Sequence, residues 1–80
     1  MRDLYSFEIL EHSQITEMRR IVCAFARSLE FDETQIGKLG IAVSEAAENI
    51  LKHGGGGEFL VRSVDCEGIS GIELLAVDSG

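Results

Sequence analysis

The sequence predicts an α+β fold, a two-layer sandwich in which two helices cover one face of a mixed or antiparallel sheet. Three observations predict it. Apolar and polar residues alternate at the start of the chain, and in the two stretches that follow apolar residues recur at the three- and four-residue steps of a helix. Two strand-like stretches joined by a glycine-containing loop come last. Because the two helices are adjacent and precede a hairpin, the order does not fit a doubly wound sheet. With 80 residues, 45% of them hydrophobic, the chain fits one small domain.

The first element is predicted to be a half-buried strand over residues 4–10. Tyr5, Phe7 and Ile9 alternate with polar residues, which is the pattern of a strand with one buried face. A polar stretch then interrupts the alternation, and we expect Ser13 to cap the helix that follows it.

The second element is predicted to be an amphipathic helix. Its apolar residues recur at steps of three and four and form one stripe, namely Ile15, Met18, Val22, Phe25 and Leu29. Three arginines lie off this stripe, and a solvated face is the default interpretation of Arg19, Arg20 and Arg27.

The third element is predicted to be a longer helix that begins after Asp32. Asp32 and Gln35 have the spacing of a capping box, in which each side chain bonds the other residue's backbone amide. Gly37 and Gly40 would allow close packing against the first helix, and Gly54 is a natural C-terminal stop. The apolar stripe of this helix consists of Ile36, Leu39, Val43, Ala46 and Ile50.

The remaining elements are predicted to be two strands, over residues 59–66 and 72–77, joined by a hairpin loop over residues 67–71. The glycine run at 54–57 follows a helix and precedes a strand. A phosphate-binding glycine loop needs the opposite polarity, because phosphate binds at helix N-termini. We therefore interpret the run as a flexible connector.

Composition excludes some classes of function. The net charge of −7 argues against non-specific binding to nucleic acid or to an anionic membrane, and is compatible with a basic protein partner. Cys23 and Cys66 have neither the spacing nor the neighbours of a zinc site, so two reduced thiols are expected. With no signal-peptide pattern and no apolar run of about 20 residues, the chain is expected to be cytoplasmic.

The polar face of the second helix carries the strongest functional signal. Glu45, Asn49 and His53 follow one another at steps of four, and residues four apart lie above one another on a helix. The alternative is a solvated face in which Glu45, Glu48 and Lys52 form intrahelical ion pairs. His53 has an equally good structural role, because a histidine at a helix C-terminus interacts favourably with the dipole.

Mg-nucleotide chemistry gives Glu45 and Asn49 a specific reason to occupy this face. Mg²⁺ prefers oxygen ligands and keeps several waters, so one amide oxygen and the nucleotide phosphates suffice as ligands. A carboxylate one turn earlier can accept the proton of an attacking hydroxyl. Asp78 follows an apolar strand and is either a turn residue or a carboxylate that accepts a hydrogen bond from a base amine.

These residues resemble the N-box of the GHKL ATPases. The resemblance consists of Ala42-Val43-Ser44-Glu45, Asn49 and His53-Gly54, and Asp78-Ser79-Gly80 resembles the start of the Asp-x-Gly-x-Gly motif that follows it. More narrowly, the chain is similar to the anti-sigma-factor serine/threonine kinases, the bacterial switch-protein and sporulation anti-sigma kinases. The resemblance covers nearly the whole chain, since the order of elements also fits.

The resemblance implies a Bergerat-type sandwich that binds ATP and Mg²⁺. By position, Asn49 would be the Mg²⁺ ligand and Glu45 the general base that activates a serine or threonine of a partner protein. Asp78 would bind the adenine amino group, and Gly80 would permit close approach of the base. The implied partner is an anti-anti-sigma protein of the STAS type, with a sigma factor or a phosphatase as further candidates.

The chain departs from the family pattern at its end, because it stops before the second glycine of the Asp-x-Gly-x-Gly motif. Residues 1–80 are therefore expected to be the N-terminal part of a single domain that binds ATP poorly and self-associates through unpaired sheet edges. Two alternatives to a kinase stay open: an ATP-binding regulatory or docking module without phosphotransfer, and a structural α+β domain.

Overall fold

A computed structural model describes residues 4–78, the last of them by its backbone alone. The elements in chain order are strand β1 (Leu4–Ile9), helix α1 (Ser13–Ser28), helix α2 (Glu33–Gly54), strand β2 (Gly57–Cys66) and strand β3 (Ile69–Asp78). The strands form one antiparallel sheet in the order β1-β2-β3. The predicted α+β arrangement is confirmed, and the sheet is antiparallel rather than mixed.

One face of the sheet and both helices enclose the core. In the register, Phe7 and Ala76 flank Phe59, and Tyr5 and Leu74 flank Val61, so these residues share one face. Phe59 and Val61 are fully buried and form one cluster with apolar residues of α1 and α2, among them Met18, Val22, Phe25, Val43, Ala47 and Ile50. This cluster fixes both helices over the same face of the sheet.

Helix α1 begins differently from the prediction. Ser13 is its first residue, while the N-cap position is His12, which makes no capping hydrogen bond with its side chain. The Gln14 side chain orders the turn instead, since its Oε1 accepts from the amides of Leu10 and Glu11 at 2.6 and 2.9 Å and its Nε2 donates to the Glu8 carbonyl at 2.8 Å. The prediction that Ser13 caps the helix was wrong, because Ser13 is already helical and its hydroxyl donates to Glu11 Oε1 at 3.2 Å instead of accepting from the amides of the first turn.

Helix α2 begins as predicted. The Gln35 amide donates to Asp32 Oδ1 at 2.8 Å, and the Asp32 amide donates to Gln35 Oε1 at 2.9 Å, which completes the capping box. The helix ends one residue later than expected, because Gly55 rather than Gly54 adopts the left-handed C-cap conformation, with φ of 71°. In the apolar stripe, Leu39 and Ala46 are only half-buried, whereas Gly40 and Ala47 are buried.

Close contact between the helices depends on Gly40. A Cβ at this position would lie 3.3 Å from Cys23 Sγ on α1, so the predicted close packing is confirmed at Gly40. At Gly37 the prediction was wrong, because nothing lies within 4 Å of a Cβ built there. The Cys23 thiol also lies 3.9 Å from the Ile36 carbonyl oxygen, to which it donates a long hydrogen bond. Within residues 4–78, neither helix has the length and apolar character that crossing a bilayer requires.

The hairpin and the glycine run are tighter than predicted. Strands β2 and β3 pair up to Cys66 and Ile69, so the turn contains only Glu67 and Gly68, both with positive φ (54° and 81°). This is the backbone that a two-residue hairpin favours. In the glycine run, Gly56 is buried beside β1, so part of the predicted connector is packed structure.

Candidate functional site

A groove between the C-terminal half of α2 and the end of β3 is the candidate site. Its volume is about 350 Å³, and it is lined by Ala46, Asn49, Ile50, His53 and Ala76. Asn49 and His53 supply the polar groups of this lining, and the other three side chains are small or apolar. A concave surface with a few convergent polar groups is typical of a small-molecule site.

Helical geometry explains why these residues meet. Ala46, Asn49, Ile50 and His53 lie three or four positions apart, so they line one side of α2. Ile50 is buried in the core and anchors this side, while Asn49 and His53 are exposed beside it. The opposite wall is β3, where Ala76 pairs with the fully buried Phe59. The small Ala76 side chain leaves space where a larger one would fill the groove.

Glu45 is not part of this lining. Its side chain is exposed, and residues four apart on a helix differ by about 40° around the axis. That rotation takes Glu45 from the groove side of α2 towards its outer surface. Within residues 4–78 Glu45 makes no ion pair or side-chain hydrogen bond, so its carboxylate is unpaired.

The intrahelical ion pairs of the alternative interpretation are not formed in the described part of the chain. Glu48 instead lies 3.1 Å from His12 Nδ1, at the start of α1. Lys52 pairs with no carboxylate among residues 4–78. The polar face of α2 is therefore tied to the neighbouring helix by Glu48, and its other charges are available to ligands.

Of the two remaining predicted site residues, Asp78 is the last residue of β3. The backbone of Asp78 pairs with Gly57, two residues beyond Ala76, so this position falls on the same face of the sheet as the groove wall. Gly80 lies outside the described residues. The structure thus brings Asn49 close to the end of the strand that carries Asp78.

The groove suits a metal cation that is coordinated mainly by a bound small molecule and only in part by protein side chains. The C-terminal end of a helix carries partial negative charge, which favours a nearby cation. No group of three or more His, Cys, Asp or Glu side chains that could hold a metal ion is found in residues 4–78. The described residues therefore do not form a metal site from protein ligands alone. The amide oxygen of Asn49 can supply the single side-chain ligand with which Mg²⁺ binds when phosphates provide the others.

Two groove residues carry little or no functional signal in the sequence. For His53 a structural role at the helix C-terminus is as good as a ligand role, although its four-residue spacing from Asn49 places both on one face. Ala76 carried no signal, because an alanine in an apolar strand has no chemistry of its own. Only the strand register, which sets Ala76 beside Phe59, identifies it as a groove wall.

The chain was compared with models of known protein families. The family model described as the histidine kinase-like ATPase domain matches residues 10–80, a range that includes every element except β1. No curated protein matches the chain.

Proposed function

Because the chain belongs to the histidine kinase-like ATPase domain family, we propose that its groove binds Mg-ATP and that the protein is a regulatory serine/threonine kinase of the anti-sigma type. The observation that carries this proposal is the groove itself, in which Asn49 and His53 line a space of about 350 Å³ beside the end of β3. Family membership supports ATP as the ligand. Glu45 and Asn49 on α2 support the assignment to serine/threonine kinases of the anti-sigma type.

Asn49 would hold Mg²⁺ through its amide oxygen. It is exposed at the groove and free of hydrogen bonds from other described side chains, so its oxygen is available to a ligand. Bound ATP would supply the transferable phosphoryl group, and Mg²⁺ would neutralise the charge that develops during its transfer. At the end of β3, Asp78 would bind the adenine amino group, with Gly80 next to the base.

Glu45 would act as the general base. Its carboxylate would accept the proton of a serine or threonine hydroxyl as that oxygen attacks. The exposed position of Glu45 on the outer side of α2 suits a hydroxyl that belongs to another protein, because a folded partner can approach this surface from solvent. A STAS-type anti-anti-sigma protein is the proposed substrate, and a sigma factor or a phosphatase is a further candidate partner.

A second candidate function is supported by the same geometry. Glu45 does not line the groove, which favours an ATP-binding regulatory or docking module without phosphotransfer. In that case the carboxylate would contribute only to a protein-binding surface. The two functions differ in one measurable property, the dependence of phosphotransfer on Glu45.

The test of the base uses two carboxylates on the same helix. In the intact protein, Glu45→Ala should lower phosphotransfer to a STAS-type protein by about 10²–10⁴-fold while Mg-ATP affinity stays unchanged. Glu48→Ala is the matched control, since Glu48 lies on the same helix, pairs with His12 and is assigned no role in the proposed reaction. Equal activity of Glu45→Ala and wild type would exclude Glu45 as the base and favour the docking module.

The test of the metal ligand uses Asn49→Ala. This variant should bind Mg-ATP more weakly than wild type in a calorimetric titration. The difference should disappear when EDTA removes the metal, because the amide contributes through Mg²⁺. A difference that persists without metal would assign Asn49 to direct nucleotide contact, and unaltered affinity in both conditions would remove it from the site.

A further inference from the structure

The outer edge of β1 is open from residue 4 to residue 8. Within residues 4–78, β1 is an edge strand that pairs with β2 alone. The Gln14 side chain shows which backbone groups point outward, since it bonds the Glu8 carbonyl and the Leu10 amide at 2.8 and 2.6 Å. Backbone groups of alternate residues point to the same side of a strand, so those of Leu4 and Ser6 point outward too. Among the described residues these groups have no hydrogen-bond partner.

Gln14 protects the rest of this edge. Its side-chain amide donates one hydrogen bond and accepts others, as a peptide group of a neighbouring strand would do. Natural proteins block strand edges in comparable ways to prevent unwanted pairing. Because this protection reaches only as far as the Glu8 carbonyl, a further strand could still pair with residues 4–8 of β1. The open edge therefore fits a segment of about five residues.

A second groove, here called the β1 groove, lies beside this open edge, between β1 and α1. Its volume is about 280 Å³, and its apolar lining consists of Phe7, Ile9 and Met18. In a strand added to β1, alternate side chains would lie on the same face as Phe7 and cover this groove. Addition of an extended peptide to an open strand edge is a recurring mode of recognition, in which backbone hydrogen bonds give affinity and side-chain pockets give specificity. The open edge and the β1 groove together provide both.

Charge selects the kind of segment that fits this edge. Glu8 and Glu58 are direct neighbours across β1 and β2, on the face of the sheet opposite the helices. Like charges in such positions are destabilising, and neither carboxylate forms an ion pair within residues 4–78. A cationic side chain opposite Glu8 on an added strand would lie beside both carboxylates. The lining of the β1 groove contains no basic residue, and the net charge of −7 also attracts a basic segment.

We propose that an extended basic segment of a partner protein adds to β1 as an antiparallel strand, the orientation that is slightly more stable per residue. Its apolar side chains would cover the β1 groove, and its basic side chains would lie beside Glu8 and Glu58. This site is separate from the proposed ATP groove, which lies at the other edge of the sheet, between α2 and β3. The proposal therefore does not depend on the proposed kinase activity. A second copy of the chain fits less well, because its β1 carries the same acidic charge.

A designed peptide tests the proposal with the 80-residue chain. In a short blocked peptide in which lysine and valine alternate, the lysines would lie opposite Ser6 and Glu8, and the valines would lie over the β1 groove. An amide NMR titration should shift the β1 resonances with a dissociation constant on the order of 1 mM, because the interface is small. Ser6→Pro removes one outward N–H, which an edge strand tolerates, and should weaken binding about fivefold, the effect of one net hydrogen bond. Ser6→Ala keeps that N–H and should bind as wild type does.

Two comparisons test the charge selection. Glu8→Gln should weaken binding of the lysine peptide about twofold, whereas Glu67→Gln, which removes an exposed charge in the hairpin turn, should not. A peptide in which glutamate replaces lysine should bind wild type more weakly than the lysine peptide does. Equal binding of the two peptides would refute a basic segment as the partner.

Methylation of the peptide backbone keeps the test independent of the folding of Ser6→Pro, which far-UV circular dichroism checks. N-methylation of the lysine amides should abolish binding, because these amides would bond β1, whereas methylation of the valine amides, which point away from β1, should not. Unshifted β1 resonances at millimolar peptide, or equal effects of the two methylations, would overturn the proposal. It would also be overturned by a wild-type dimer in sedimentation velocity that Ser6→Pro dissociates, since a second copy would then occupy the edge.

Discussion

Substituting Gly56 by alanine tests how α2 is joined to the sheet. Gly56 has φ of 129° and is buried, and a Cβ there would lie 3.0 Å from the Ile9 carbonyl oxygen and 3.3 Å from a methyl group of Leu10. A non-glycine residue in such a backbone conformation costs about 1–3 kcal/mol. The contact with a backbone oxygen adds to this cost, because β1 must shift to relieve it.

We therefore expect Gly56→Ala to lower the free energy of unfolding by about 2–4 kcal/mol. At about 0.05–0.15 kcal/mol per residue, the whole domain has only about 4–12 kcal/mol to lose. Urea denaturation followed by far-UV circular dichroism measures the change as a shift of the midpoint. If the wild-type free energy of unfolding lies at the lower end of this range, the variant would be partly unfolded even without denaturant.

Two other glycines serve as controls for this prediction. Gly55 is left-handed with φ of 71°, and nothing lies within 4 Å of a Cβ built there, so Gly55→Ala should cost only about 1 kcal/mol. Gly37 is helical and equally open, so Gly37→Ala should stabilise by about 1 kcal/mol. If Gly56→Ala were no worse than Gly55→Ala, the close approach to Ile9 would have no energetic role.

Three further predictions concern single side chains. Asp32→Ala should lower the free energy of unfolding by about 1 kcal/mol through loss of the capping box, with exposed Thr34→Ala as a neutral comparison in the same denaturation assay. Ser44→Ala should raise the free energy of unfolding by up to about 1 kcal/mol, because Ser44 Oγ is buried and has no hydrogen-bond partner among residues 4–78. A loss of stability in this variant would contradict the prediction. The hydrogen bond from Arg20, at 2.5 Å, and the charge of that residue hold the pKa of Glu17 below its ordinary value. The stability difference between wild type and Arg20→Ala should therefore be present above the unfolded-state pKa of Glu17 and vanish as pH falls through the lower folded-state pKa, which denaturation at several pH values would measure.

Elements that depend on local patterns were predictable from the sequence. The capping box at Asp32 and Gln35 needs only the side chains of one turn, and both of its hydrogen bonds are formed. The apolar stripes likewise predicted which face of each helix meets the sheet. At the start of α1 the local pattern failed, because the chain enters the helix one residue earlier than the pattern suggests: Ser13 is the first helical residue, and the Gln14 side chain holds the turn before it.

Features that depend on register were not predictable. Ala76 became a groove wall, and Leu75 a residue of the opposite face of the sheet, only once β2 and β3 were aligned residue by residue. A shift of one residue would exchange the two faces of the strand, and the apolar run of β3 fits either choice. Similarly, the four-residue spacing of Glu45 and Asn49 suggested one shared surface, whereas the 40° rotation between them, about one ninth of a full turn, separates the groove from the outer side of α2.

That rotation has a kinetic consequence for the proposed reaction. Nucleotide would enter beside Asn49, between α2 and β3, while a protein substrate would arrive over Glu45 from the solvent side. Neither ligand would need to leave for the other to bind or exchange. The proposed reaction should therefore follow a random-order, ternary-complex mechanism, in which double-reciprocal plots for the two substrates intersect instead of running parallel.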